Sequence, residues 1–249
     1  MAKFDGIFEI QGTMKGMTFY KTKDGLLIRA KGGVSKQRIM NDPAFQRTRE
    51  NGTEFSHNAK MSQLFRRSIA SLLPLAKDSR VSSRLSQAMS GIKNLDFDSV
   101  RGQRKVAVGL VSDAGKQFLK GFNFNVNATF GSVFKSQYEL DPITGVVTIA
   151  NFSPSLHLGI PQGATHVSFS TGISSVDFAS EVFETTYSEH INFSVNAVSQ
   201  NLVLTPLALP EVVGHKLFYF LIEFFQEINV EQYPLRNNTF NVLYLMEVV

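Results

Sequence analysis

The residues able to do chemistry are scattered. The five histidines, His57, His157, His166, His190 and His215, fall in separate segments, and no His-x-His or His-Glu-x-x-His spacing joins any two of them. A zinc-type ligand set usually draws two ligands from one helical turn or loop, so this pattern argues against a metal site, and no cofactor is expected. Cysteine is absent, which removes disulfides, thiolate ligands and thiol nucleophiles together and suits a reducing compartment. Gly-x-Ser-x-Gly, Gly-x-x-x-x-Gly-Lys-Ser/Thr and Gly-x-Gly-x-x-Gly are all missing. The stretch from Gly109 to Gly115 superficially suggests a phosphate loop, but a strand end followed by a turn explains it more simply. Glu181, Glu184, Glu189, Glu223, Glu227 and Glu231 are spread over different elements, as a solvated face or partner surface would be, rather than paired for acid-base work. The chain is therefore expected not to be an enzyme, and no small-molecule substrate is evident.

Charge is more informative than any motif. Residues 1–105 carry 20 Lys and Arg against 9 Asp and Glu, a net of +11, and residues 106–249 carry 5 against 12, a net of −7. Two halves of opposite sign fit a nucleic-acid surface, head-to-tail association or attraction between the halves. The longest apolar run, Leu217 to Phe225, is interrupted by Glu223 and is too short to span a bilayer, so no membrane partner is expected. Asp5 and Glu9 sit where a secretory signal needs apolar residues, so the expected location is the cytoplasm, or the virion if the gene is phage-borne.

The elements that must position these residues divide at the same place, giving an expected domain over 1–105 and a second over 106–249. The first thirty residues read as a β-meander: Phe4, Gly6, Phe8 and Ile10 share one face, Met17, Phe19 and Lys21 alternate, and Lys23-Asp24-Gly25 makes a hairpin turn. Lys31 to Arg38 has no period and reads as an exposed loop. Asp42-Pro43 has the form of a helix start, and Phe45, Thr48, Gly52, Phe55, Ala59, Ser62 and Arg66 continue one narrow, partly apolar helix face up to a stop near Pro74. A second helix is capped by Asp78-Ser79 and buries Val81, Leu85, Ala88, Met89 and Ile92, completing an αα-hairpin. Beyond Lys105 short strands alternate with turns, among them 106–111, 118–127, 133–140, 146–152, 166–171, 184–197, 202–205, 216–226 and 239–249. Asp141-Pro142-Ile143-Thr144-Gly145 is a clear turn between two of them. The expected class is α+β: a β-meander and αα-hairpin followed by an antiparallel β-sandwich of immunoglobulin-like or jelly-roll type.

Two surfaces stand out on this scaffold. Lys36, Arg38, Arg47, Arg49, Lys60, Arg66, Arg67, Arg80 and Arg84 form a basic patch able to neutralise phosphates or meet an acidic protein surface, set against the plainer reading of a solvated helix face. Phe45, Phe55 and Phe65 lie among these charges, but at helical spacing such rings more often face a core than stack on bases. The second surface is Phe218, Phe220, Phe224 and Tyr244, on strands apolar on both faces. These strands must be covered by the rest of the chain or by another copy.

Gly16-Met17-Thr18-Phe19-Tyr20, Arg29-Ala30-Lys31-Gly32-Gly33 and Asn41 to Asn51, with Asp78-Ser79-Arg80-Val81 and Arg101-Gly102-Gln103-Arg104, resemble the opening of an uncharacterised bacterial family of small cytoplasmic or phage-associated proteins. The resemblance covers the first 105 residues and implies that they form a unit, with no activity to carry over. The function expected is a structural or assembly subunit that associates with itself, in a phage or another large complex. The alternative is a nucleic-acid-binding module using the basic helical hairpin.

Overall fold

The computed structural model describes residues 2–3, 10–22, 25–30, 32–235 and 239–249, with the backbone alone at 2–3. Two compact units divide the chain, residues 1–49 and 50–249. Residue 105, where the charge changes sign, therefore lies inside the second unit, because the helices before it and the strands after it share one core.

Unit one is an antiparallel sheet of β1 (Ala2–Lys3), β2 (Gly12–Met14), β3 (Met17–Thr22) and β4 (Gly25–Ala30), in the order β1-β4-β3-β2. The expected hairpin joins β3 to β4 with Thr22 opposite Gly25; its tip residues Lys23 and Asp24, like Phe4, Gly6, Phe8 and Lys31, lie outside the described residues. The segment expected to be a loop up to Arg38 instead enters α1 (Lys36–Asn41), capped by Ser35, whose hydroxyl accepts from the Arg38 N–H. A side-chain cap of this kind satisfies an orphan donor that hydropathy does not register.

The Asp42-Pro43 start is as expected: the Asp42 carboxylate accepts from the Ala44 N–H at 2.9 Å, and a 3-10 turn over Pro43–Phe45 leads into α2 (Gln46–Ser68). In unit two α2 is followed by α3 (Val81–Lys93), which buries Val81, Leu85, Met89 and Ile92 as its spacing requires. The chain then departs from expectation. Residues 106–111, read as a strand, form α4 (Val106–Gly109) and are followed by α5 (Asp113–Gln117). The cause is tertiary: a Cβ at Gly109 would fall 2.0 Å from the Ile92 carbonyl oxygen, and one at Gly115 would fall 2.1 Å from the Gly109 carbonyl oxygen. These glycines permit a close approach between backbones and make no phosphate loop. Residues 121–124 follow without regular structure, although the Gly121 and Phe124 N–H groups donate to the Leu245 and Leu243 carbonyls.

Next come α6 (Phe130–Val133), β5 (Glu139–Leu140), β6 (Val147–Phe152), α7 (Pro154–His157), β7 (His166–Asp177), β8 (Val182–Tyr187), β9 (Ile191–Ser194), β10 (Gln200–Leu204), β11 (His215–Ile228), β12 (Glu231–Pro234) and β13 (Val242–Val248). All pairings are antiparallel; β5, β6 and β10 make a three-stranded sheet, and the others make a six-stranded, curled sheet centred on β11 and β7. The class is α+β, as expected. The strand expected over 184–197 is two strands, and β12 was not anticipated.

Strand alternation along β11 sends its side chains into two cores. Leu217, Tyr219 and Leu221 join Met61, Phe65, Leu85 and Met89 of the helices, while Phe218, Phe220, Ile222 and Phe224 join Val147, Ile149, Leu202 and Leu204 of the smaller sheet. On the helix side the neighbours of β11 along β7 are Ser170, Gly172 and Ser174, opposite Leu221, Tyr219 and Leu217. Their small size leaves room for the 69–76 turn, and Leu72 already lies 3.1 Å from where a Gly172 Cβ would stand.

Candidate interaction surfaces

Of the aromatic residues proposed from sequence as a self-association surface, Phe218, Phe220 and Phe224 are internal and Tyr244 is half-buried. Phe218, Phe220 and Phe224 are at most 1% exposed, and Tyr244 stacks on Phe130 with ring centroids 4.3 Å apart. Phe134, Tyr138, Phe152 and Phe169 extend this cluster between the two sheets, with ring separations of 5.2–6.4 Å. The chain itself covers both faces of β11, so Phe218, Phe220 and Phe224 are corrected from surface to core, with the half-buried Tyr244 packed against that core.

The basic residues are brought to the surface, but several serve the fold. Arg84 is anchored by the Asp78 carboxylate, donates to the Asn123 and Phe124 carbonyls at 2.7 and 3.1 Å and covers the Phe122 ring. It is therefore a clamp between α3 and the 121–124 segment. Lys60 pairs with Glu181, and Arg67 lies 5.9 Å from the Phe183 ring centre. Arg49 donates to the Ile39 and Asp42 carbonyls at 2.7 and 3.0 Å, and Arg38 pairs with Asp42 at 3.1 Å. Lys36, Arg47 and Arg80 are exposed. Arg66 donates to the Ser82 hydroxyl on α3.

The strongest electrostatic feature is one that sequence reading missed. Glu54, 4% exposed on α2, receives the Lys93 ammonium, both the Nε and Nη2 of Arg104 at 2.8 Å, and the Gly102 N–H at 2.8 Å. The Arg104 hydrogen bonds lead in holding its carboxyl down to about 2, against the opposing effect of burial. One turn further on, His57 accepts from the Val106 N–H at 3.0 Å. Burial, with Lys105 nearby, keeps its pKa below the usual value, so it acts as a neutral acceptor. These groups tie α2 to the end of α3 and the start of α4. Both Glu54 oxygens are engaged by four donors within the fold, which marks a structural knot rather than a reactive site.

Two concavities stand out among the described residues of unit two. One, of about 330 Å³, is lined by Gln137, Tyr138, Glu139, Asn151 and His157 on the outside of the small sheet; burial raises the Tyr138 hydroxyl pKa to about 12. The other, of about 510 Å³, is a groove between α2 and α3. Phe55, Asn58, Ala59 and Arg66 form one wall; Ser82, Ser83, Ser86, Gln87 and Ser90 form the other. Phe55 is 70% exposed, whereas Phe65 faces the core. Asn58 is 4% exposed, yet its Oδ1 has no hydrogen-bond partner among the described residues. Sequence spacing aligned Phe55, Ala59 and Arg66, but gave no sign that this face stays open.

Among the described residues no group of three or more His, Asp or Glu could hold a metal ion, and no helix is long and apolar enough to cross a membrane. The His166–Glu227 and His190–Glu223 pairs, at 3.6 and 3.5 Å, stand as separate contacts. Compared with protein-family models, curated proteins and solved structures, the chain matches none.

Proposed function

We propose that the chain is a non-enzymatic structural or assembly subunit that associates with itself, and that residues 1–49 dock on a second copy. The observation carrying this reading is that none of the described side chains of unit one is buried, although Met14, Met17, Val34 and Met40 are 40–57% exposed on it. A small sheet with an uncovered apolar face gains stability chiefly when another layer covers it. Charge supports a second copy as that layer: residues 1–49 carry 10 Lys and Arg against 4 Asp and Glu, the reverse of the acidic excess over 106–249. The second unit is read as a sandwich of immunoglobulin-like or jelly-roll type, a reading supported by the aromatic core its two sheets share. Such a subunit works in the cytoplasm, or in the virion of a phage.

Light scattering on the full-length protein at low and high salt tests the reading. A mass of two or more copies that falls to one copy in the Met14→Lys, Met17→Lys double variant supports it. A single-copy mass at high concentration and low salt, or an assembly indifferent to both changes, removes it.

A further inference from the structure

The groove between α2 and α3 has a composition that self-association leaves unexplained. At its Phe55 end, an aromatic ring 70% exposed stands on a helix whose other phenyl ring, Phe65, faces inward. Midway, the buried Asn58 carboxamide carries an oxygen without a partner among the described residues, and Gln87 brings a second carboxamide from the opposite wall. At the far end the Arg66 guanidinium and the Ser82 hydroxyl meet, forming a corner of N–H and O–H donors. Phe55 and Arg66 are eleven positions apart on one helix, which sets the two ends roughly 16 Å apart at 1.5 Å per residue.

We propose that this groove binds a short stretch of single-stranded nucleic acid, with a base on Phe55, base edges on Asn58 and Gln87, and a backbone phosphate on Arg66 and Ser82. Ring, carboxamide and guanidinium in that order match the alternation of base and phosphate along an extended strand. Carboxamides pair with base edges, and arginine with phosphate. The surroundings have the right sign: residues 50–105 hold 10 Lys and Arg against 5 Asp and Glu. The groove volume of about 510 Å³ seats only part of such a strand, so the binding is local and tolerant of length.

The test is fluorescence anisotropy with the full-length protein and a fluorescein-labelled deoxyadenylate decamer at low salt. Saturable binding that weakens with added salt is expected, with about a tenfold or greater loss of affinity in Phe55→Ala, where a stacking partner is removed. A smaller loss is expected in Gln87→Ala. Both positions are exposed, so circular dichroism and the melting curve should match those of the parent protein. Displacement by unlabelled decamer but not by AMP identifies a strand, and equal displacement by AMP identifies a nucleotide as the sufficient unit. No saturable binding overturns the proposal. So does binding unchanged in Phe55→Ala, or displacement as effective with poly-glutamate as with the decamer, which would reduce the groove to a general anion surface.

Discussion

Residues 10–49 and 50–249 are both rich in antiparallel strands, but they use them in opposite ways. In the second unit β11 is buried on both faces, by helices on one side and by the small sheet on the other. In the first unit, β3 and β4 pair over six residues each and leave their described side chains half-buried or exposed. Hydrogen-bonded pairing alone therefore does not make a core. What separates the two, among the described residues, is a second layer, and the stability of each unit follows from whether it has one.

The largest effect expected from breaking this contrast is at Phe220. It is fully buried and packs against Phe130, Phe134, Tyr138 and Phe169. Phe220→Ala should destabilise the second unit by about 4 kcal/mol, the scale for truncating a core aromatic. Met17→Ser in the first unit should change the stability of the isolated protomer by less than about 0.5 kcal/mol. Chemical denaturation of dilute protein, where association is absent, compares them; equal losses would mean that unit one has a core of its own.

A somewhat smaller effect is expected at the charged knot. Glu54→Gln leaves Lys93, only 6% exposed at its side chain, without its carboxylate, and should cost about 3 kcal/mol. The pH dependence has a defined sign. The carboxyl pKa is lowered from 4.5 to about 2 in the fold, so its contribution is complete above about pH 4.5 and is lost as pH falls towards 2. Parent and variant melting curves should therefore converge as pH falls towards 2 and stand fully apart above about pH 4.5. A gap independent of pH would mean that Glu54 acts by packing alone.

The helix over Val81–Lys93 was legible because local signals and tertiary packing agree there: the spacing of Val81, Leu85, Met89 and Ile92 is helical and all four are buried. The two-sided burial of β11 was legible as well, since a continuous apolar run has no wet face. What covers it was not, so Phe218, Phe220 and Phe224 read equally as an interface. Val106–Val111 misled because alternating valines fit a strand until the Gly109 backbone is needed against Ile92, a contact that no local pattern contains. The Glu54 knot joins partners 39 and 50 positions apart, and the openness of the Phe55 groove depends on where α3 lies. Neither leaves a trace in spacing.

The smallest effect, and the sharpest check on the second unit's interior, is at Glu223. It is 7% exposed on the helix-side face of β11 opposite Ser168, and its charged neighbour is His190 at 3.5 Å, on the exposed side. Burial raises its pKa, with His190 only partly opposing this. A raised carboxyl pKa favours the protonated fold: the contribution is whole below 4.5, the ordinary value, and is lost as pH climbs through the folded-state value. Above that pH the fold holds a poorly compensated anion, which Glu54 with its four donors does not. Glu223→Gln keeps the shape and removes the charge, so it should leave the melting temperature unchanged near pH 4 and raise it slightly at pH 8, opposite in sign to Glu54→Gln. Two buried carboxylates of one unit would then differ in sign because one is surrounded by donors and the other is not. A loss of stability at pH 8 would show that the Glu223 anion is held by His190 after all.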